Sequence, residues 1–171
     1  SLHFPDFRAG ERTFQLLTQV AGRAGRGEAP GEVVIQSYAP LHYAIQAARE
    51  HDYARFFERE IAERRELGYP PFKRAVLIRV TGKDESRVRA GIGRLARAAE
   101  AWIAERAPGS MDLLGPAPAP MVKLQGRFRY HVFLKGPSAR LLHEAVAALR
   151  IGQSLPPGLD VDIDVDPQSS L

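Results

Sequence analysis

The stretch RFRYHVFLKGPSARLLHEAVAALR, residues 127–150, changes its hydrophobic period part-way along. In its first half Phe128, Tyr130, Val132 and Leu134 alternate with Arg127, Arg129, His131, Phe133 and Lys135, the period-two pattern of a half-buried strand over 127–137. From Ser138 the apolar positions become Leu141, Leu142, Val146 and Leu149, the stripe of a short helix. A strand that hands directly to a helix leaves the next strand to return beside it. LDVDIDVDP, at 159–167, has the β-branched alternation for that role.

Upstream the same order occurs once more. RAVLIRVTG (74–82) reads as a strand, and Asp84 or Ser86 can cap a long helix to about Arg106. Val88, Ile92, Leu95, Ala99, Trp102 and Ile103 share one face of that helix. MDLLGPAPAP then gives a short strand running into a proline-stiffened loop. Strand, helix, strand, strand, helix, strand predicts an α+β fold: a split β-α-β domain with both helices on one face of a mainly antiparallel sheet.

GYPPF, 68–72, carries two prolines and predicts a rigid, non-helical joint, so a domain boundary falls between 1–72 and 73–171. Before it, Glu11 to Val20 reads as a helix with Phe14, Leu17 and Ala21 on one stripe and Leu16 and Val20 beside it. Gly22, Gly25 and Gly27 end it. EVVIQSY (32–38) predicts a strand, and Pro40 the first turn of a helix to about Glu50. Asp52 caps a further helix that stops at Gly68, with Tyr53, Phe56, Phe57, Ile61 and Leu67 as its apolar face and Glu58, Arg59, Glu60, Glu63, Arg64 and Arg65 turned outward.

The 171 residues are 44% hydrophobic and 26% charged, a globular composition. No run of 18 apolar residues predicts a membrane span, and the first residues lack the basic and apolar regions of a signal peptide. Cysteine is absent, which excludes a disulfide framework and a Cys zinc site within these residues. A cytoplasmic setting is expected. The start at Ser1, without Met, leads us to expect a piece of a longer protein. The net charge of +4 is unevenly spread. Residues 1–73 hold ten basic and ten acidic side chains, residues 74–159 fourteen and six, and the last twelve residues four aspartates and no base. The middle surplus of eight suits a polyanion, nucleic acid first, and equally a solvated basic surface.

QVAGRAGRG, 19–27, places Arg23 and Arg26 about one turn apart among glycines, with Gln19 before them. Two guanidinium groups and an amide suit the terminal phosphate of a nucleoside triphosphate and its attacking water. The same residues also suit a solvated basic helix C-terminus. No G-x-x-x-x-G-K-[ST] phosphate loop accompanies them. KLQGRFRYHVFLK interleaves Lys123, Arg127, Arg129 and Lys135 with aromatic rings, a pattern for tracking phosphates and stacking on unpaired bases. Phe128 and Tyr130 continue the apolar alternation and read as core, which leaves Phe133 as the stacking candidate. Asp160, Asp162, Asp164 and Asp166 alternate on the last strand. Same-side neighbours there are ~6.6 Å apart, too far to share one metal ion unaided, so they read as the charged face of an edge strand. The five histidines show no ligand spacing and receive neither metal nor catalysis.

PDFRAGERTFQLLTQVAGRAGRG resembles motif VI of superfamily 2 helicases and its lead-in. Together with GEVVIQSYAPLHYAI, DYARFFEREIAERRELGYPPF, LLGPAPAPMVKLQGRFRYHVFLKGP and the terminal DVDP, the chain resembles the C-terminal part of the PriA family of replication-restart helicases, the primosomal N′ proteins. The resemblance implies that 1–72 is the end of a second RecA-like lobe and that 73–171 is a DNA-binding C-terminal domain. It implies Arg23 and Arg26 as arginine fingers and Gln19 as a contact to the γ-phosphate or its water. It implies ATP and Mg²⁺ in the intact parent, structural zinc in a region upstream of these residues, and no cofactor within them. The implied activity is ATP-driven 3′→5′ unwinding at stalled forks, absent from this piece alone. The implied partners are forked and single-stranded DNA, the tail of single-stranded-DNA-binding protein and primosome proteins, with no membrane. A stand-alone RNA- or ribosome-binding module and an acidic-peptide interaction domain are the alternatives.

Overall fold

The computed structural model describes residues 6–24 and 32–167. It divides into two compact units, Ser1–Leu67 and Gly68–Leu171. The Gly68–Phe72 segment, expected as a joint, belongs to the second unit.

The first unit is helical among its described residues: α1 (Ala9–Ala24), α2 (Tyr43–Arg49) and α3 (Tyr53–Glu66). His42 caps α2 by accepting from the Ala44 amide, and Asp52 caps α3 by accepting from the Arg55 amide. Alanines at 44, 47 and 48 let α2 lie close to its neighbours, and Phe14 of α1 stacks on Phe56 of α3 at 4.3 Å between ring centroids. Four expectations are corrected here. Helix α1 continues through Gly22 to Ala24, and Leu16 and Val20 are exposed. Pro40 lies in a turn before α2 instead of inside it. Residues 32–38 form no ladder, with Val34 86% and Tyr38 99% exposed: a strand needs a partner, and among the described residues none lies alongside. Glu60 and Arg64 of α3 turn inward. Glu60 accepts from Tyr43 Oη at 2.7 Å, and Arg64 bridges Glu60 and the half-buried Glu11, so the buried Glu60 carboxylate has its partners.

The second unit runs β1 (Arg74–Gly82), α4 (Glu85–Arg106), β2 (Asp112–Leu124), β3 (Arg127–Gly136), α5 (Ala139–Ala148), the short α6 (Ile151–Ser154) and β4 (Asp160–Val165). The strands form one sheet in the order β2-β3-β1-β4, every pair antiparallel. This is the α+β split β-α-β arrangement that the periodicity predicts. Asp84 caps α4 and Ser138 caps α5. Both helices cover one face of the sheet. Val76, Ile78 and Val80 of β1 and Val132 and Leu134 of β3 pack there against Val88, Ile92, Leu95 and Ala99 of α4 and Leu142 and Ala145 of α5. Fully burying one such aliphatic side chain is worth about 1.5–3 kcal/mol.

Strand β2 is longer than predicted. The prolines that suggested a loop continue as an edge strand, where a missing amide costs no ladder bond on the open side. The register shifts between Leu114 and Ala117, at Gly115 with φ +98°. A side chain there would bring its Cβ within 2.9 Å of the His131 carbonyl oxygen. Gln125 and Gly126, both at positive φ, make the two-residue turn that joins β2 to β3.

Candidate functional site

Two groups of residues stand out in the sequence, and each lies within one unit. In the first unit, Gln19 and Arg23 are four residues apart on α1, so they share a face, and both are exposed. The Arg23 side chain has no ion-pair partner among the described residues. Arg26 lies outside the described residues.

In the second unit, the pleat of β3 sends Arg127, Arg129, His131, Phe133 and Lys135 to the sheet face opposite the helices. The same face receives Ala75, Leu77, Arg79 and Thr81 from β1, and Asp160, Asp162 and Asp164 from β4. Register decides what each charge meets. Arg127 is ion-paired with Asp160. Arg79 pairs with Asp162 at 3.2 Å. Arg74, at the start of β1, is clamped to Asp166. The aspartates thus form the charged face of an edge strand, as read, and they also neutralise much of the basic row beside them.

Two candidates on this face are corrected by burial. Phe133 is 7% exposed, its ring tilted against Tyr69 at 6.4 Å, so it offers no free face to a base. Lys135 is 5% exposed, with its ammonium 4.5 Å from the Tyr69 ring centroid and 3.7 Å from Asp112. Burial and the nearby Lys73 lower its pKa while Asp112 opposes them, burial being the largest effect. Asp112 itself is held low, first by Lys73, which donates to it at 2.8 Å. The segment carrying Tyr69 and Lys73 therefore covers this end of the sheet.

Arg129 is the cation of β3 left over. It is half-buried and has no hydrogen-bond or ion-pair partner among the described residues, and burial followed by Arg79 lowers its pKa. His131 lies in the same field: its Nδ1 is buried without a hydrogen bond, and burial, Arg79 and Arg129 lower its pKa. Lys123, near the β2–β3 turn, is exposed with its ammonium 4.8 Å from the Phe128 ring centroid. Lys123 and Arg129 are thus the sequence-named cations available to a ligand.

At the other end of the sheet the sequence names Arg127, and Arg87 with Arg94 and Arg97 as helix residues off the apolar stripe that extend the basic surface or simply face solvent, but it does not point to Lys83 or to a cleft. There Lys83, Arg87 and Arg127 line a cleft of about 380 Å³ with Asp84 and Asp160. Among the described residues no group of three or more His, Asp or Glu could hold a metal ion, and no helix is long and apolar enough to cross a membrane.

An α+β sheet with a basic, partly neutralised face is the class that fold and site define. Residues 65–168 match the family described as the primosomal protein N C-terminal domain, and the chain belongs to that family. It is 42% identical to the replication restart protein PriA of Synechocystis over 98% of this chain and 20% of that protein. The PriA of Bacillus subtilis is 42% identical over 79% of this chain and 16% of that protein, and the PriA of Treponema pallidum 38% over 99% and 25%. The chain therefore spans a quarter or less of the length of these relatives.

Proposed function

We propose that this chain is the C-terminal part of an ATP-dependent 3′→5′ DNA helicase that acts in replication restart and primosome assembly at stalled forks. The observation that carries the reading is the likeness to proteins named for replication restart along nearly the whole chain. In this reading the first unit, Ser1–Leu67, ends the second RecA-like lobe, and the second, Gly68–Leu171, is a DNA-binding domain. The outward-facing Val34, Tyr38 and Leu41 support the first half of it. Large exposed apolar side chains on an unpaired extended segment are what a lobe leaves when its neighbouring strands belong to another part of the protein.

Gln19, Arg23 and Arg26 then face a nucleotide held by the remainder of the parent, where ATP and Mg²⁺ supply the phosphoryl chemistry. Arg23 and Arg26 place two fixed positive charges against the charge that develops on the transferred phosphoryl oxygens. Gln19 orients water by its amide. The exposure of Gln19 and Arg23 on one face of α1 supports these roles. Structural zinc belongs to the upstream region of the parent. Forked and single-stranded DNA, the tail of single-stranded-DNA-binding protein and primosome proteins are the proposed partners.

The test is ATP hydrolysis with and without DNA, by the intact parent and by this chain alone. The parent is expected to show DNA-stimulated turnover and the chain none. Turnover by the purified chain would sink the reading.

A further inference from the structure

Among the cations of the second unit that make no ion pair with the described residues, Arg87, Arg94 and Arg97 stand together on one helix, α4. Arg94 and Arg97 are exposed and have no hydrogen-bond or ion-pair partner among the described residues. Arg87 donates through Nη2 to the Pro157 carbonyl at 2.8 Å, which fixes the side chain, and it makes no ion pair among the described residues, although Asp84 lies in its field. Arg87 and Arg94 are seven residues apart, about 10.5 Å along one face, and Arg97 follows within a turn. The residues between and beyond them on that face are Ala90, Ala98 and Ala101, all exposed and all too short to hold a ligand away from the guanidinium groups. Glu105 closes the far end and is tied to Arg106 at 3.0 Å.

At the near end lies the cleft beside Lys83. Its two carboxylates are engaged: Asp84 accepts from the Arg87 amide at 3.1 Å and from Ser86 Oγ at 2.7 Å, and Asp160 is held by Arg127. Lys83 is exposed and has no acidic partner among the described residues.

We propose that Lys83, Arg87, Arg94 and Arg97 form a face that tracks the phosphate backbone of duplex DNA, with the cleft beside Lys83 receiving one phosphate. This rests on the reading of the second unit as DNA-binding and moves the main contact from β3 to α4. Duplex is favoured over single strand because no aromatic ring projects from this face: Trp102 packs against the core. Binding is neutral to sequence, since contacts to phosphate carry no base information.

The experiment is a salt titration of duplex DNA binding by the full 171-residue chain. Replacing all four cations by Ala should make the log–log salt slope shallower by roughly 3.6, at about 0.9 per phosphate contact. A variant with Arg87→Lys, Arg94→Lys and Arg97→Lys should keep the slope. Arg94→Glu alone, an exposed change, should weaken duplex binding with an unchanged thermal melt, and it keeps the test open if the quadruple variant misfolds. If the unaltered chain binds duplex but its slope is untouched in the alanine and Arg94→Glu variants, the α4 face is overturned and the DNA-binding reading survives. Failure of the unaltered chain to bind overturns both. Loss of slope in the lysine variant also overturns charge tracking. Loss of binding to an acidic peptide in these variants, with duplex binding intact, would reassign the face to a peptide.

Discussion

Arg64 on α3 donates through Nη2 to Glu11 Oε2 on α1 at 2.9 Å, joining residues 53 positions apart in the chain. The same guanidinium holds Glu60 at 2.7 Å, and Glu60 is 7% exposed. Arg64→Ala leaves two inward carboxylates short of a donor, at a cost of about 1–3 kcal/mol. Denaturant unfolding of wild type and variant checks it. A difference within error would mean that solvent replaces the pair.

The same cluster predicts a pH dependence. Hydrogen bonding from Arg8, followed by burial, which opposes it, and by hydrogen bonding from Arg64, brings the Glu11 carboxyl from 4.5 to about 2. A carboxylate with a depressed folded pKa contributes stability above its unfolded pKa and loses it as pH falls through the folded one. This contribution is therefore full above pH 4.5 and declines as pH falls toward 2. Stability curves of wild type and Glu11→Gln should converge across that window. Curves that stay parallel would rule out Glu11 as the titrating group.

In the intact parent, Arg26→Ala is expected to cut ATP turnover by on the order of 10³–10⁵, and Arg23→Ala similarly, with DNA binding little changed. Steady-state turnover and DNA titration on the same preparations separate the two effects. Near wild-type turnover in either variant would return that arginine to the role of a solvated helix end.

Phe133→Ala should lower stability by about 3 kcal/mol or more, as for other large buried aromatics, and leave single-strand affinity unchanged once folded protein is compared. This reverses what its place on the basic alternation predicts. A selective loss of single-strand binding at unchanged stability would restore it as a stacking residue.

Neutralising Asp160 and Asp162 by Asn should strengthen DNA binding, because Arg127 and Arg79 lose their internal counterions. The salt slope should steepen by up to about 1.8, for two added phosphate contacts. An unchanged or shallower slope would show that the open sheet face takes no part.

Local sequence determined much of this protein. The change of period at Ser138, the capping Asp52, Asp84 and Ser138, and the stripe Val88, Ile92, Leu95 and Ala99 follow from backbone hydrogen bonding and helix or strand geometry, which nearby residues control. Gln19 and Arg23 stood out by residue type, but their shared helix face was not legible, because the glycines after Ala21 predict an earlier helix end and α1 runs on to Ala24. What only the tertiary structure decided depends on which element lies beside which. The alternation of β4 shows that its aspartates share a face, but strand order places β4 against β1, so that Asp162 and Asp160, still open to solvent, meet Arg79 and Arg127. Period two sends Phe133 and Lys135 to the face away from the helices, but only the packing of Tyr69 on them removes that end from solvent. Residues 32–38 have the composition of a strand and, among the described residues, lack the neighbour that makes one. A side chain's direction is a local property. Its dielectric surroundings and its counterion are contributed by residues distant in sequence, and they govern which charges remain for a ligand.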